Sequence, residues 1–144
     1  MNATLEKFAY PETIIQSYQH WVVLLRPQQV TLGSLILGSL SDSQAFGQLS
    51  SAAMNELQVV TKEIELTLSH CFNYDKINYL MLMMVDPHVH FHVIPRYSNE
   101  REFGSQTLLD PDWPGPPNLA TKQEIAASQL EQLRQFIQNH WIQE

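Results

Sequence analysis

Three histidines alternate with β-branched or aromatic residues within His88-Val89-His90-Phe91-His92-Val93-Ile94-Pro95-Arg96. Strict alternation of this kind predicts a β-strand, and on a strand side chains at i, i+2 and i+4 share a face. The pattern therefore sets three imidazoles in a row, roughly 7 Å apart from one to the next, with Val89, Phe91 and Val93 on the opposite, buried face. Imidazole is the side chain whose ordinary pKa lies nearest neutrality, so such a row can attack, donate protons and hold charge at one site. The row is expected to open to solvent along a cleft. His90, flanked on both sides by histidine, is the natural nucleophile: a neutral imidazole nitrogen can attack phosphorus if its other nitrogen carries the proton and is held by an acceptor.

The rest of the chain suits an enclosed core. Hydrophobic residues make up 44 % of the 144 positions and charged residues 16 %, a balance of one domain, 1–144, rather than of a disordered histidine-rich tail. No apolar run approaches the roughly 20 residues of a membrane span. Met1-Asn2-Ala3-Thr4-Leu5-Glu6-Lys7 mixes acid and base without an apolar segment, unlike a signal peptide. One cysteine, Cys71, excludes an intramolecular disulfide and fits a reducing cytoplasm; it is expected to be a small buried hydrophobe near a helix end. A net charge of −7, from eight basic and fifteen acidic side chains, argues against a nucleic-acid partner but not against a small phosphorylated ligand held by local donors.

Periodicity divides the chain. Trp21–Leu25 is an apolar strand ended by Arg26-Pro27, Thr13–Tyr18 an edge strand before it, and Gly33–Gly38 a strand returning antiparallel, with a turn at Ser41-Asp42-Ser43. From Ser50 to Cys71 the apolar residues Met54, Leu57, Val60, Ile64, Leu68 and Cys71 recur every three or four positions, predicting a long helix capped by Ser50 or Ser51 and stopped at Asn73. Ile77–Val85 is apolar on both faces, as a central strand would be, and Asp86-Pro87 joins it tightly to the histidine strand in a β-hairpin. Tyr97–Ala120 is loop-like. Thr121 caps a last helix whose stripe is Ala126, Leu130, Leu133, Ile137 and Trp141. Strand pair, helix, strand pair, loop and helix give an α+β fold: an antiparallel sheet with helices on one side.

Positions 88–94 fill the pattern His-φ-His-φ-His-φ-φ, φ being apolar, and so resemble the histidine triad (HIT) family; Pro95-Arg96 is similar to the ending of its fragile-histidine-triad branch, whose members hydrolyse dinucleoside polyphosphates. The resemblance runs over about residues 20–100, taken as the core. It implies a HIT-like fold, with one long helix between two strand pairs and a C-terminal helix. It implies a nucleotidyl hydrolase or transferase: His90 attacks the α-phosphate, a nucleotidyl-histidine intermediate forms, His92 donates to phosphate or leaving-group oxygens, and His88 supports the pair. Ap3A or Ap4A are the substrates it favours. No cofactor is required, beyond a divalent cation that substrate phosphates could chelate, and a homodimer is implied in which Trp141 either reaches the partner or covers its own sheet.

The chain also departs from that family. Leu32-Gly33-Ser34 stands where Pro-Gly-His is common, so Ser34 replaces a supporting histidine; Val85-Asp86-Pro87 stands where a Gly-Gln-[Ser/Thr]-Val segment commonly touches the α-phosphate. Phosphate contacts then fall to Arg26 or Arg96, with Ser34 as a further substrate-side residue; Trp113 anchors a loop or packs at the site's rim. Other classes stay open: a nucleoside phosphoramidase, a nucleotide-binding module without turnover, and a metal-binding protein, though three ligands on one strand are spread too widely to close on one ion.

Overall fold

A computed structural model describes residues 2–144; of the N-terminal heptapeptide above, Met1 alone lies outside them. The antiparallel sheet forms as the α+β reading requires. Strands β1 (Ile14–Ser17), β2 (Trp21–Leu25), β3 (Leu35–Ser39), β4 (Lys76–Leu80) and β5 (His90–Arg96) pair in the order β1-β2-β3-β5-β4. Every residue of β2 and β3 is buried, because the sheet is covered on both faces.

One face is packed by two helices, α2 (Ser51–Phe72) and α3 (Ala127–Asn139). Val60, Ile64 and Leu68 of α2 and Leu133 and Ile137 of α3 join Val23, Leu25, Leu35, Leu37 and Val93 in one cluster, each such side chain contributing roughly 1.5–3 kcal/mol by burial. The Ser50 hydroxyl accepts from Ala53 N, and Asn73 closes α2 at φ 49°. Cys71 is half-buried, and burial pushes its thiol up to about 11, so it is inert at neutral pH. Trp141 has partners on its own chain: its Nε1 donates to Tyr18 Oη at 3.1 Å and Glu63 Oε1 at 3.2 Å.

The other face carries a short helix that the sequence pattern does not show, α1 (Ala3–Lys7). Its Leu5, with Phe8 just beyond, packs on Val22, Leu24 and Ile36. Five residues are too few to show a helical period. The helices thus lie on both sides of the sheet, and the core reaches past residues 20–100 to Leu5, Leu108, Leu133 and Ile137. Among the described residues no helix is long and apolar enough to cross a membrane.

Four expectations need correction. Ile77–Val85 is not a central strand: β4 ends at Leu80 and is the sheet's edge, and Leu82, Met84 and Val85 are 54, 86 and 82 % exposed. Met83, at φ 51°, breaks the extended run, so β4 and β5 are antiparallel neighbours joined by residues 81–89 rather than by a tight turn. The stretch read as loop holds a hairpin of β6 (Arg101–Phe103) and β7 (Gln106–Leu108), turning through Gly104 at φ 60°. Thr121 caps nothing, since α3 begins at Ala127. Gln123, bonded through its side chain to Val30 O and Leu109 O and through its N–H to Gln29 O, holds that segment non-helical.

Candidate active site

Strand β5 begins at His90, opposite Gly38, and sets His92 opposite Ile36. The two rings share a face and meet edge to face, 5.2 Å between centroids, closer than a flat strand predicts because the rings tilt together. His88 precedes the strand, which corrects the row of three. Its Nδ1 lies 3.0 Å from Thr4 Oγ1, and its N–H donates to the same hydroxyl. What His88 gives the next histidine is its backbone: His90 Nδ1 lies 2.7 Å from His88 O. A carbonyl can only accept, so His90 Nδ1 carries the proton and Nε2 keeps the lone pair whenever the ring is neutral.

The site is covered rather than open. His90 and His92 are 2 % and 8 % exposed, and the Phe8 ring stands 5.8 Å from each. Lys7 Nζ reaches Asp86 Oδ2 at 3.1 Å across the approach. Two small cavities remain beneath. One of about 330 Å³ is lined by Lys7, Phe8, Arg26, Gln28, Asp86 and His92; another of about 220 Å³ is reached past Leu82–Asp86 and touches both His90 and His92.

Arg26, at the end of β2, is brought to this site. Its Nε donates to His92 Nδ1 at 3.3 Å, Nη1 to Gln28 O at 2.6 Å and Nη2 to Leu119 O at 3.4 Å. The His92 pKa is lowered to about 4, chiefly by burial, then by the positive charge of Arg26, with His90 and Lys7 adding to the fall and Asp86 opposing it. His92 is therefore neutral at neutral pH.

The other two predicted substrate contacts are not brought together with the histidines. Ser34 is wholly buried, 0 % exposed; its Oγ donates to Thr31 O and accepts from Thr31 N inside the turn before β3. Arg96 spends its guanidinium on Asp110, Asn78 and Gly115 O. A cavity of about 830 Å³ lies beside that anchor, between β4 and Trp113–Pro117, and no histidine lines it. Among the described residues no group of three or more His, Cys, Asp or Glu side chains is placed to hold a metal ion. Thr4, Lys7 and Phe8 lie far from the histidines in the sequence and no spacing marks them as site residues, whereas Asp86 stands two positions before His88, in step with the alternation.

No family model and no curated protein matches the sequence. Solved structures do. A histidine triad protein from Sinorhizobium meliloti superposes with a TM-score of 0.74 at 20 % identity, over 94 % of this chain and 93 % of that one. One from Bradyrhizobium japonicum gives 0.72 at 18 % identity, over 99 % and 97 %. The Plasmodium falciparum diadenosine triphosphate hydrolase gives 0.64 at 12 % identity, over 94 % and 92 %. From α1 to α3, this chain has the fold of the histidine triad proteins.

Proposed function

We propose that the chain is a nucleotidyl hydrolase or transferase, acting on the α-phosphate of a nucleoside or dinucleoside polyphosphate through a nucleotidyl-His90 intermediate. One observation carries this reading: His90 Nδ1–H bonded to His88 O, which leaves Nε2 as a neutral nucleophile beside a second imidazole. As His90 attacks, its ring becomes cationic, and the His88 carbonyl dipole stabilises that charge. His92 offers an N–H to the phosphoryl oxygens. His88 acts through its carbonyl, with its ring held by Thr4. An Ap3A- or Ap4A-like substrate is the preferred class, supported by the shared fold of a diadenosine triphosphate hydrolase. The chemistry asks for no resident cofactor, only a divalent cation that the phosphates could bring. A cytoplasmic location belongs to the same proposal and rests on the single free thiol.

The cover over His90 favours a second reading, a nucleotide-binding module without turnover. Both readings meet one experiment: turnover of adenosine polyphosphates and an adenosine phosphoramidate by wild type and His90→Ala. The enzyme reading expects turnover that falls about 10³-fold or more in His90→Ala while nucleotide still binds, and a smaller loss in His92→Ala. A wild type that binds nucleotide and turns over none of them leaves the module.

A further inference from the structure

We propose that Arg26 is a positioning residue that fixes His92 as a donor of its Nε2 proton, and thereby selects substrates whose leaving group departs as a phosphate anion over phosphoramidates, whose leaving amine must be protonated. The proposal rests on the nucleotidyl-transfer reading above.

The geometry supplies the first step. Arg26 Nε can only donate, and a guanidinium does not lose its proton in a protein. Its bond to His92 Nδ1 therefore requires the lone pair there, and places the ring proton on Nε2. Two backbone acceptors, Gln28 O and Leu119 O, hold the guanidinium in place, so it cannot swing away when His92 changes state. Protonating Nδ1 would break this bond and set two cations together in a buried site.

The charged and titratable groups facing His92 come from every element around it: Arg26 from the end of β2, His90 from its own strand, Lys7 from α1 and Asp86 from the segment before β5. Of these only Asp86 favours a cationic His92, and its carboxylate is already engaged by Lys7.

A neutral N–H donor suits one leaving group and not another. With an anhydride, the bond from His90 Nε2 to phosphorus forms as the phosphorus–oxygen bond breaks. The electron pair leaves on the phosphate oxygen, and no proton is transferred. Water then adds its oxygen to phosphorus and releases a proton to solvent, and the phosphorus–nitrogen pair returns to His90. With a phosphoramidate, the departing nitrogen must take up a proton as its bond to phosphorus breaks. A His92 held by Arg26 hydrogen-bonds that nitrogen without supplying the proton.

Two measurements test this. In nitrogen-detected NMR of wild type, His92 is expected to keep its proton on Nε2 and to stay neutral from pH 8 down to about pH 5. In Arg26→Met at pH 6, the ratio of adenosine phosphoramidate to diadenosine polyphosphate turnover is expected to rise severalfold, because a His92 freed of the guanidinium's charge, though still buried, carries a larger imidazolium fraction; an unchanged ratio overturns the selection. A His92 that carries its proton on Nδ1, or titrates near neutrality in wild type, overturns the positioning role even if Arg26→Met fails to fold. So does a wild type that cleaves both substrates equally well. A wild type inactive on both, with His92 as described, overturns the functional reading and leaves the positioning role standing.

Discussion

Arg96 Nε lies 2.7 Å from Asp110 Oδ2, in a pair whose side chains are 4 % and 1 % exposed. Asp110 also accepts from Tyr97 N, and Arg96 reaches Gly115 O, so the pair ties the Asp110–Pro117 segment to the end of β5. Removing one partner leaves a buried charge uncompensated. Asp110→Ala is expected to cost about 3–5 kcal/mol in urea denaturation. Arg96→Lys, with Asp110 retained, is expected to lose stability as well, because an ammonium cannot span both carboxylate oxygens. A cost below about 1 kcal/mol would mean that water reaches the pair.

Arg26 and Arg96 show what sequence could and could not tell. Each is an arginine closing an apolar strand, and each looked like a phosphate contact. Their roles were decided by partners, His92 for one and Asp110 for the other, which only the folded chain brings near. Helix α2 was legible from end to end because its period, its serine cap and its asparagine stop are local signals. The β4 boundary was not, since Met84 and Val85 are apolar yet exposed. The cover formed by Lys7 and Phe8 was invisible for a similar reason: it depends on tertiary packing of five helical residues.

Gly38 makes that cover possible. A Cβ at Gly38 would fall on Leu5 Cδ2, well inside van der Waals contact, with Val22 on its other side. Gly38→Ala should therefore push α1 outward at a cost of about 1–3 kcal/mol. Leu5 and Phe8 would loosen together. Faster amide exchange confined to residues 3–10, with His90 more accessible to diethyl pyrocarbonate, is the expected result. Unchanged exchange there would show that Leu5 repacks without moving the helix.

His92 gives stability a pH dependence of known sign. Its folded pKa, about 4, lies below the ordinary 6.5, so between those values the unfolded chain binds more protons. Its contribution is fully present above about pH 6.5 and is lost as pH falls toward 4. Solvent screening keeps the loss to on the order of 2 kcal/mol. Carboxylates also titrate in this window, so the measurement is a difference: unfolding free energy of wild type minus His92→Asn, followed from pH 7 to pH 4. The difference should shrink as the solution is acidified; a constant difference would place His92 outside the linkage.

The last prediction concerns assembly, which we propose is a homodimer. β4 ends the sheet with one edge unpaired, and beside it stand the exposed Leu82, Met84 and Val85. An open edge flanked by apolar side chains invites pairing with another chain, and a closed two-fold dimer satisfies it without unlimited growth. Met54, Val59 and Leu66 of α2 add exposed apolar surface. Trp141 is not needed for this contact, because its indole is bonded to Tyr18 and Glu63 of its own chain. Sedimentation equilibrium at micromolar concentration is expected to give twice the chain mass of 16.6 kDa, for wild type and for Trp141→Ala alike. Val85→Lys together with Met84→Lys should shift the equilibrium toward the single chain by placing like charges at the contact. A wild-type mass near 16.6 kDa would defeat the dimer, while the chemistry proposed for His90 and His92 would stand, since both lie on one strand of one chain.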